Sequence, residues 1–242
     1  MPRQFLTAEW RNLVMLNYAV EPSLLRPFVP AGTELDSWQG IAFVSLVGFL
    51  FANTRVLGVA LPWHRTFEEV NLRFYVRRHV NGEERRAVTF IREIVPRRMI
   101  ALVARWAYNE PYQACAMRHR FGPLNGDGAP ATVEYEWRHQ TSWAGVSAEP
   151  MGQGRTAAGG SQEAFITEHY WGYTKQRDGS TFEYQVAHPT WRVWSVQTPR
   201  LTGDVSPLYG PELARILNGP PASAFLADGS AVTVYTPSRI AR

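Results

Sequence analysis

Between positions 70 and 80, Val70, Leu72, Phe74 and Val76 alternate with Asn71, Arg73, Tyr75 and Arg77. A period of two marks a strand, here one with an apolar face and a polar face turned to solvent. Asn81-Gly82 follows, a pair that readily adopts the left-handed geometry of a tight hairpin, so residues 87–95 are expected to return beside it. Asp178-Gly179 predicts a second hairpin, joining residues 170–174 to 181–187. Residues 41–51 read as a buried strand. Residues 132–138 alternate with Val133, Tyr135 and Trp137 on one face, and residues 190–196 and 230–236 read as further strands.

Helical patterns are short. "VEPSLLRPFVP" (20–30) has Pro22 at its first turn and Pro27 and Pro30 to stop it. Pro96 opens an apolar segment, "PRRMIALVARWAY", that is expected to be helical. Ser161 can cap a helix from Gln162, and "GPELARILNG" has Pro211 at its start and Gly219 beyond its end. Residues 147–161, "SAEPMGQGRTAAGGS", are small and Gly-rich and are expected to form a loop within one domain spanning 1–242. Many short strands, hairpins and few helices predict a β-rich α+β fold, an antiparallel sheet curled into a cone or barrel with short peripheral helices.

Composition narrows the function. No run approaches the ~18 uncharged apolar residues of a membrane span. "MPRQFLTAEW" has no apolar secretion core and Cys115 is the only cysteine, so a cytoplasmic location is expected. The net charge of +4 comes from arginine pairs with acidic residues nearby, not from a basic stripe, so nucleic acid is not an expected partner. The histidines show no metal spacing, and no phosphate loop or Gly-x-Ser-x-Gly elbow occurs. No cofactor is expected. Lys175 is the sole lysine, set beside a turn in "TKQRDG".

Four stretches in order, "RNLVMLNYAVEPSLLRPFVPAGTEL", "FEEVNLRFYV", "REIVPRR" and "FITEHYWGYTKQRDGSTFEYQVAHPTW", resemble the acetoacetate decarboxylase-like superfamily, and more closely its YqjF-like branch of uncharacterised bacterial proteins. The resemblance covers nearly the whole chain. It implies a cone-shaped fold, and it implies that Glu69 is the counterpart of the family's pocket carboxylate, with Glu68 as the fallback. In the decarboxylase pattern an acidic residue and a proline precede two lysines, one of which forms an imine with substrate while its neighbour lowers its pKa. Here Arg97 and Arg98 take that place, with Glu93 two residues closer to the pair. Ala8 falls where the family's first strand carries an arginine, with Arg11 close by.

A guanidinium stays protonated and cannot be the amine nucleophile, so imine chemistry is not expected. Arg97 and Arg98 can instead grip a carboxylate, or pair internally with Glu93 or Glu69. Glu69 and His188 are the catalytic candidates. Arg97, Arg98, Glu68, Arg73, Glu93 and Trp191 are the candidates for substrate binding. The expected ligand is a small organic acid or carbonyl compound, handled by a lyase or isomerase through an enolate, or bound without catalysis by a sensing protein. A homo-oligomer is the expected assembly.

Overall fold

The computed structural model describes residues 2–60, 65–96, 109 and 111–240. Its strands are β1 (Gln4–Val20), β2 (Glu34–Leu35), β3 (Ala42–Val56), β4 (Val59–Ala60), β5 (Phe67–Val80), β6 (Glu83–Val95), β7 (Tyr112–Ala114) and β8 (Ala116–Phe121). They continue with β9 (Val133–His139), β10 (Ser142–Thr156), β11 (Trp171–Lys175), β12 (Thr181–Ala187), β13 (Arg192–Thr202), β14 (Ser223–Tyr235) and β15 (Ser238–Ile240). All join one large sheet in the order β15-β12-β11-β6-β5-β3-β1-β14-β13-β10-β9-β8, with β2, β4 and β7 attached beside this path. An added pairing of β12 with β14 bends its central strands into a ring. Most neighbours are antiparallel. The exceptions are β6 with β11 and β6 with β7, which are parallel and make the sheet mixed.

Both hairpins form as their turn residues predict. Asn81 and Gly82, at φ 51° and 83°, connect β5 to an antiparallel β6, and Gly179, at φ 79°, lies in the turn between β11 and β12. Positive φ at both central residues gives a turn whose twist matches that of its strands. The Ser161 hydroxyl accepts the Ala164 amide proton at 3.2 Å and caps the helix Gln162–Thr167. The helix Ser206–Leu217 is kinked at Gly210 (φ 80°, ψ 164°), so Pro211 starts its second segment. The first helix, Pro22–Leu25, runs into a tighter turn over Arg26–Phe28.

Two expectations are corrected. Within residues 147–161, read as a Gly-rich loop, residues 147–156 form the last two-thirds of β10 and pair with β13. Gly154 there serves close approach: a Cβ on it would lie 2.4 Å from the Trp194 ring. Second, β5 is buried on both faces instead of one. Val70, Leu72, Phe74 and Val76 pack in a core with Tyr135, Trp137 and Val146 of the β9–β10 layer and Leu208 and Leu213 of the last helix. The layers meet so tightly that a Cβ at Gly48 would come within 2.9 Å of both Tyr135 and Val146. The other face carries Phe67, Glu69, Asn71, Arg73 and Tyr75, all buried, under a second core that includes Phe165, Ile166 and Trp191. The segment expected to be helical after Pro96 lies outside the described residues.

Candidate functional site

The buried polar face of β5 builds the site. Alternation aims Glu69, Asn71 and Arg73 the same way, about 6.6 Å apart from one to the next along the strand. Strand pairing adds partners: Asn71 stands opposite Glu93 of β6, and Glu93 pairs with Tyr112 of β7. The Asn71 amide donates to one oxygen of Glu69 at 3.0 Å, and the Tyr112 hydroxyl donates to the other at 3.2 Å. Glu69 and Glu93 are each only 2% exposed. Burial pushes the Glu69 pKa up to about 7, because a carboxylate loses its hydration there. The bonds from Asn71 and Tyr112 and the charge of Arg73 pull it back in part. The result is a carboxyl group poised to take or give a proton near neutrality.

A second polar row crosses the same face. Ser45 donates to the Asn17 side-chain oxygen at 2.6 Å, lies 2.6 Å from the Tyr75 hydroxyl, and stands opposite Arg73 in the ladder. Asn17 in turn donates to Ser223 at 3.1 Å. These bonds lock Tyr75 in place. His169, just after the helix Gln162–Thr167, lies over the Tyr75 ring with centroids 4.7 Å apart. Burial, then the charges of Arg86 and Arg73, hold its pKa well below the ordinary histidine value, so it is neutral near pH 7.

His188 stacks on Trp191 at 4.4 Å between centroids, with Tyr170 at 4.9 Å, and its Nδ1 lies 2.9 Å from the Pro189 carbonyl. Burial lowers its pKa, and the carbonyls of Pro189 and His169 partly offset that. Trp191 is buried and donates its indole N–H to Ser230 at 2.9 Å. Glu69, Arg73 and Glu93 therefore share one buried face, with Trp191 in the same apolar layer and His188 stacked upon it. Glu68 points the other way, with its carboxylate 2.7 Å from His119 Nδ1. Arg97 and Arg98 lie outside the described residues.

Asn71, Tyr112 and His169 are members that sequence reasoning did not single out. Asn71 carried a signal, since it sits at the same period-two phase as Glu69 and Arg73. Tyr112 reaches Glu69 only because β7 runs parallel to β6, and no local pattern announces that. Among the described residues, no group of three or more His, Cys, Asp or Glu side chains is arranged to hold a metal, and no helix is long and apolar enough to cross a membrane.

The whole chain superimposes on proteins of known structure. Acetoacetate decarboxylase from Legionella pneumophila matches with a TM-score of 0.67 and 13% identity, covering 99% of this chain and 88% of the other. The enduracididine biosynthesis enzyme MppR complexed with pyruvate matches with a TM-score of 0.66 and 12% identity, covering 100% and 91%. At such identities the likeness establishes the fold, an acetoacetate decarboxylase-like one, and no more. In sequence, the uncharacterized protein YqjF of Bacillus subtilis (strain 168) is 25% identical over 202 residues, 83% of this chain and 80% of that protein. The profile of the family DUF2071, described as an uncharacterized conserved protein, matches residues 7–231, and this chain belongs to that family.

Proposed function

We propose that the buried polar face of β5 and β6 is the reaction site for a small organic acid or carbonyl compound, with Glu69 as the proton-transfer group. The observation that carries this reading is Glu69 itself: a buried carboxyl with a pKa of about 7, oriented by Asn71 and Tyr112. A carboxyl buried only for structure is normally neutralised by a close ion pair. Glu69 is held by two neutral donors instead, which leaves its proton exchangeable. That MppR, on the same fold, is complexed with pyruvate supports a ligand of this size and chemistry.

The step that fits is enolisation. The ionised Glu69 removes a proton from the carbon beside a carbonyl, the C–H electron pair becomes the new C=C bond, and the carbonyl pair moves onto oxygen. The protonated Glu69 then returns the proton to the same carbon, which is exchange. Where that carbon bears a hydroxyl, the proton can go instead to the former carbonyl carbon, while the hydroxyl proton passes to the enolate oxygen as the new carbonyl forms, which gives isomerisation. Alternatively, a C–C bond breaks as in a lyase: its electron pair becomes the enolate, the other fragment leaves as a carbonyl compound or CO2, and protonated Glu69 supplies the proton that the enolate carbon takes up. Arginine charge can hold the developing oxyanion without a covalent bond to the protein. Arg97 and Arg98, which follow Glu93 by four and five positions, are proposed for that role. His188, lowered in pKa and stacked on Trp191, is the proposed second proton carrier.

The reading is tested by deuterium exchange. In D2O, the protein should accelerate loss of the α-proton signals of at least one member of a panel of small keto acids and their neutral esters. If no panel member exchanges faster than in buffer alone, the site is not a proton-transfer site, and binding without catalysis replaces this reading. Imine chemistry gives a separate result. Lys175 is exposed at the end of β11. Borohydride with acetoacetate should therefore leave the intact mass unchanged, and a stable adduct on Lys175 would contradict the imine-free route.

A further inference from the structure

Arg73 is 7% exposed and its Nη2 donates to the Ile166 carbonyl at 3.2 Å, yet its Nε has no hydrogen-bond partner. Other arginines of this region are better matched with negative charge. Arg78 and Arg85 share Glu183 at 3.1 and 2.6 Å, and Arg86 meets Asp36 at 2.8 Å. No carboxylate of the described residues forms such a pair with Arg73, the most buried of the four. Arg73 acts on the Glu69 carboxyl only through space, and a buried cation with no anion in contact is costly.

His169 lies beside it. The Ile166 carbonyl that takes the Arg73 proton also interacts with the His169 ring, and Tyr75 lies against both, 5.9 Å from the guanidinium and 4.7 Å from the imidazole. Neither ring nitrogen of His169 makes a well-formed hydrogen bond, although the residue is 6% exposed. Asp36 stands 3.9 Å from its Nε2 but is already engaged by Arg86. Two buried donors, one cationic and one neutral, thus meet at the single carbonyl of Ile166, and the Nε of Arg73 is left without an acceptor. Arg73 is two strand positions beyond Asn71 and four beyond Glu69, on the same face.

We infer that the unpartnered Nε edge of Arg73 and the ring of His169 form a subsite for the carboxylate of the substrate. This deepens the proposed function and rests on it for the reacting end. It selects keto acids over neutral carbonyl compounds, held with the carboxylate on Arg73 and the reactive carbon toward Glu69. A guanidinium N–H and a neutral imidazole N–H can each donate to a carboxylate, and the added negative charge balances Arg73.

The test titrates the full-length protein with pyruvate, acetate and the neutral ester methyl pyruvate, following the Arg73 Nε–H resonance, assigned with Arg73→Met. Pyruvate and acetate should shift that resonance saturably, and methyl pyruvate should not. Arg73→Met should weaken pyruvate binding about ten- to a hundredfold, the factor for a hydrogen bond to a charged group, while Arg73→Lys should restore part of it. His169→Gln, which keeps a donor, should bind pyruvate more tightly than His169→Phe. If neither acid moves the Arg73 resonance in the wild-type protein, the inference is overturned, whether or not the variants fold. It is also overturned if folded Arg73→Met binds pyruvate undiminished. Should the acids bind at Arg73 while the wild-type protein promotes no α-proton exchange, the subsite stands and the proton-transfer reading fails. Exchange of keto acids that survives undiminished in Arg73→Met does the reverse: the proton-transfer reading stands and the subsite fails.

Discussion

Glu69→Gln lowers protein-promoted α-proton exchange by about 10²–10⁴-fold, the usual contribution of a positioned general base. Glutamine has nearly the same shape, and its carbonyl oxygen can still accept the Asn71 amide proton now donated to Glu69. What it lacks is a lone pair basic enough to take a proton from carbon. The fold should survive, so circular dichroism and hydrodynamic size match the wild type. In the wild-type protein, exchange should rise with pH through about 7 as Glu69 ionises, and that inflection should vanish in the variant. Equal exchange by the two proteins would remove Glu69 from the chemistry.

The same substitution should change how stability responds to pH by about 3 kcal/mol, following from a pKa of about 7 in the folded chain against an ordinary 4.5 when unfolded. Between those values the native state keeps a proton that the unfolded state has released. The folded form is therefore favoured most at low pH, and the advantage is lost as pH rises toward 7. His169 and His188 act with the opposite sign. Burial keeps them neutral in the fold, so their contribution is lost as pH falls below the ordinary histidine range near 6.5. Both histidines remain in the variant, so the difference between the two proteins isolates Glu69. Urea unfolding at pH 5, 6, 7 and 8 should show Glu69→Gln gaining stability relative to wild type with each step up to about pH 7. A constant difference across that range would mean that Glu69 is ionised throughout.

Of the residues proposed for the site, Glu69, Arg73 and Glu93 stand on one buried face, and Trp191 lies in its apolar layer. Glu68 could not belong to the same face, because adjacent strand residues point to opposite sides. The polar residues of β5 were read as a solvent face because polarity at period two ordinarily means water. Here they face a second buried layer, capped by Phe165 and Ile166 from a helix about ninety residues further along the chain. The glycines of residues 147–156 misled for a related reason. Glycine is read locally as freedom of the backbone, yet Gly154 exists to let the Trp194 ring of another strand approach.

What the sequence by itself determined was local chemistry: turns and caps set by residues a few positions apart. Asn81-Gly82 and Asp178-Gly179 reverse the chain because Asn81, Gly82 and Gly179 tolerate positive φ, and Ser161 caps a helix because its oxygen reaches an amide three residues on. Lysine content likewise argues against a buried imine before any fold is known, since the single lysine sits beside a turn. Only the tertiary structure decided that the polar face of β5 is buried. Desolvation lifts the pKa of Glu69 and depresses that of His169, and it depends on the layer that covers them. Tyr112 meets Glu69 through a parallel pairing, and Arg73 meets Ile166 across ninety-three positions of sequence. Burial and long-range pairing are properties of the assembled sheet, and no window of neighbouring residues carries them.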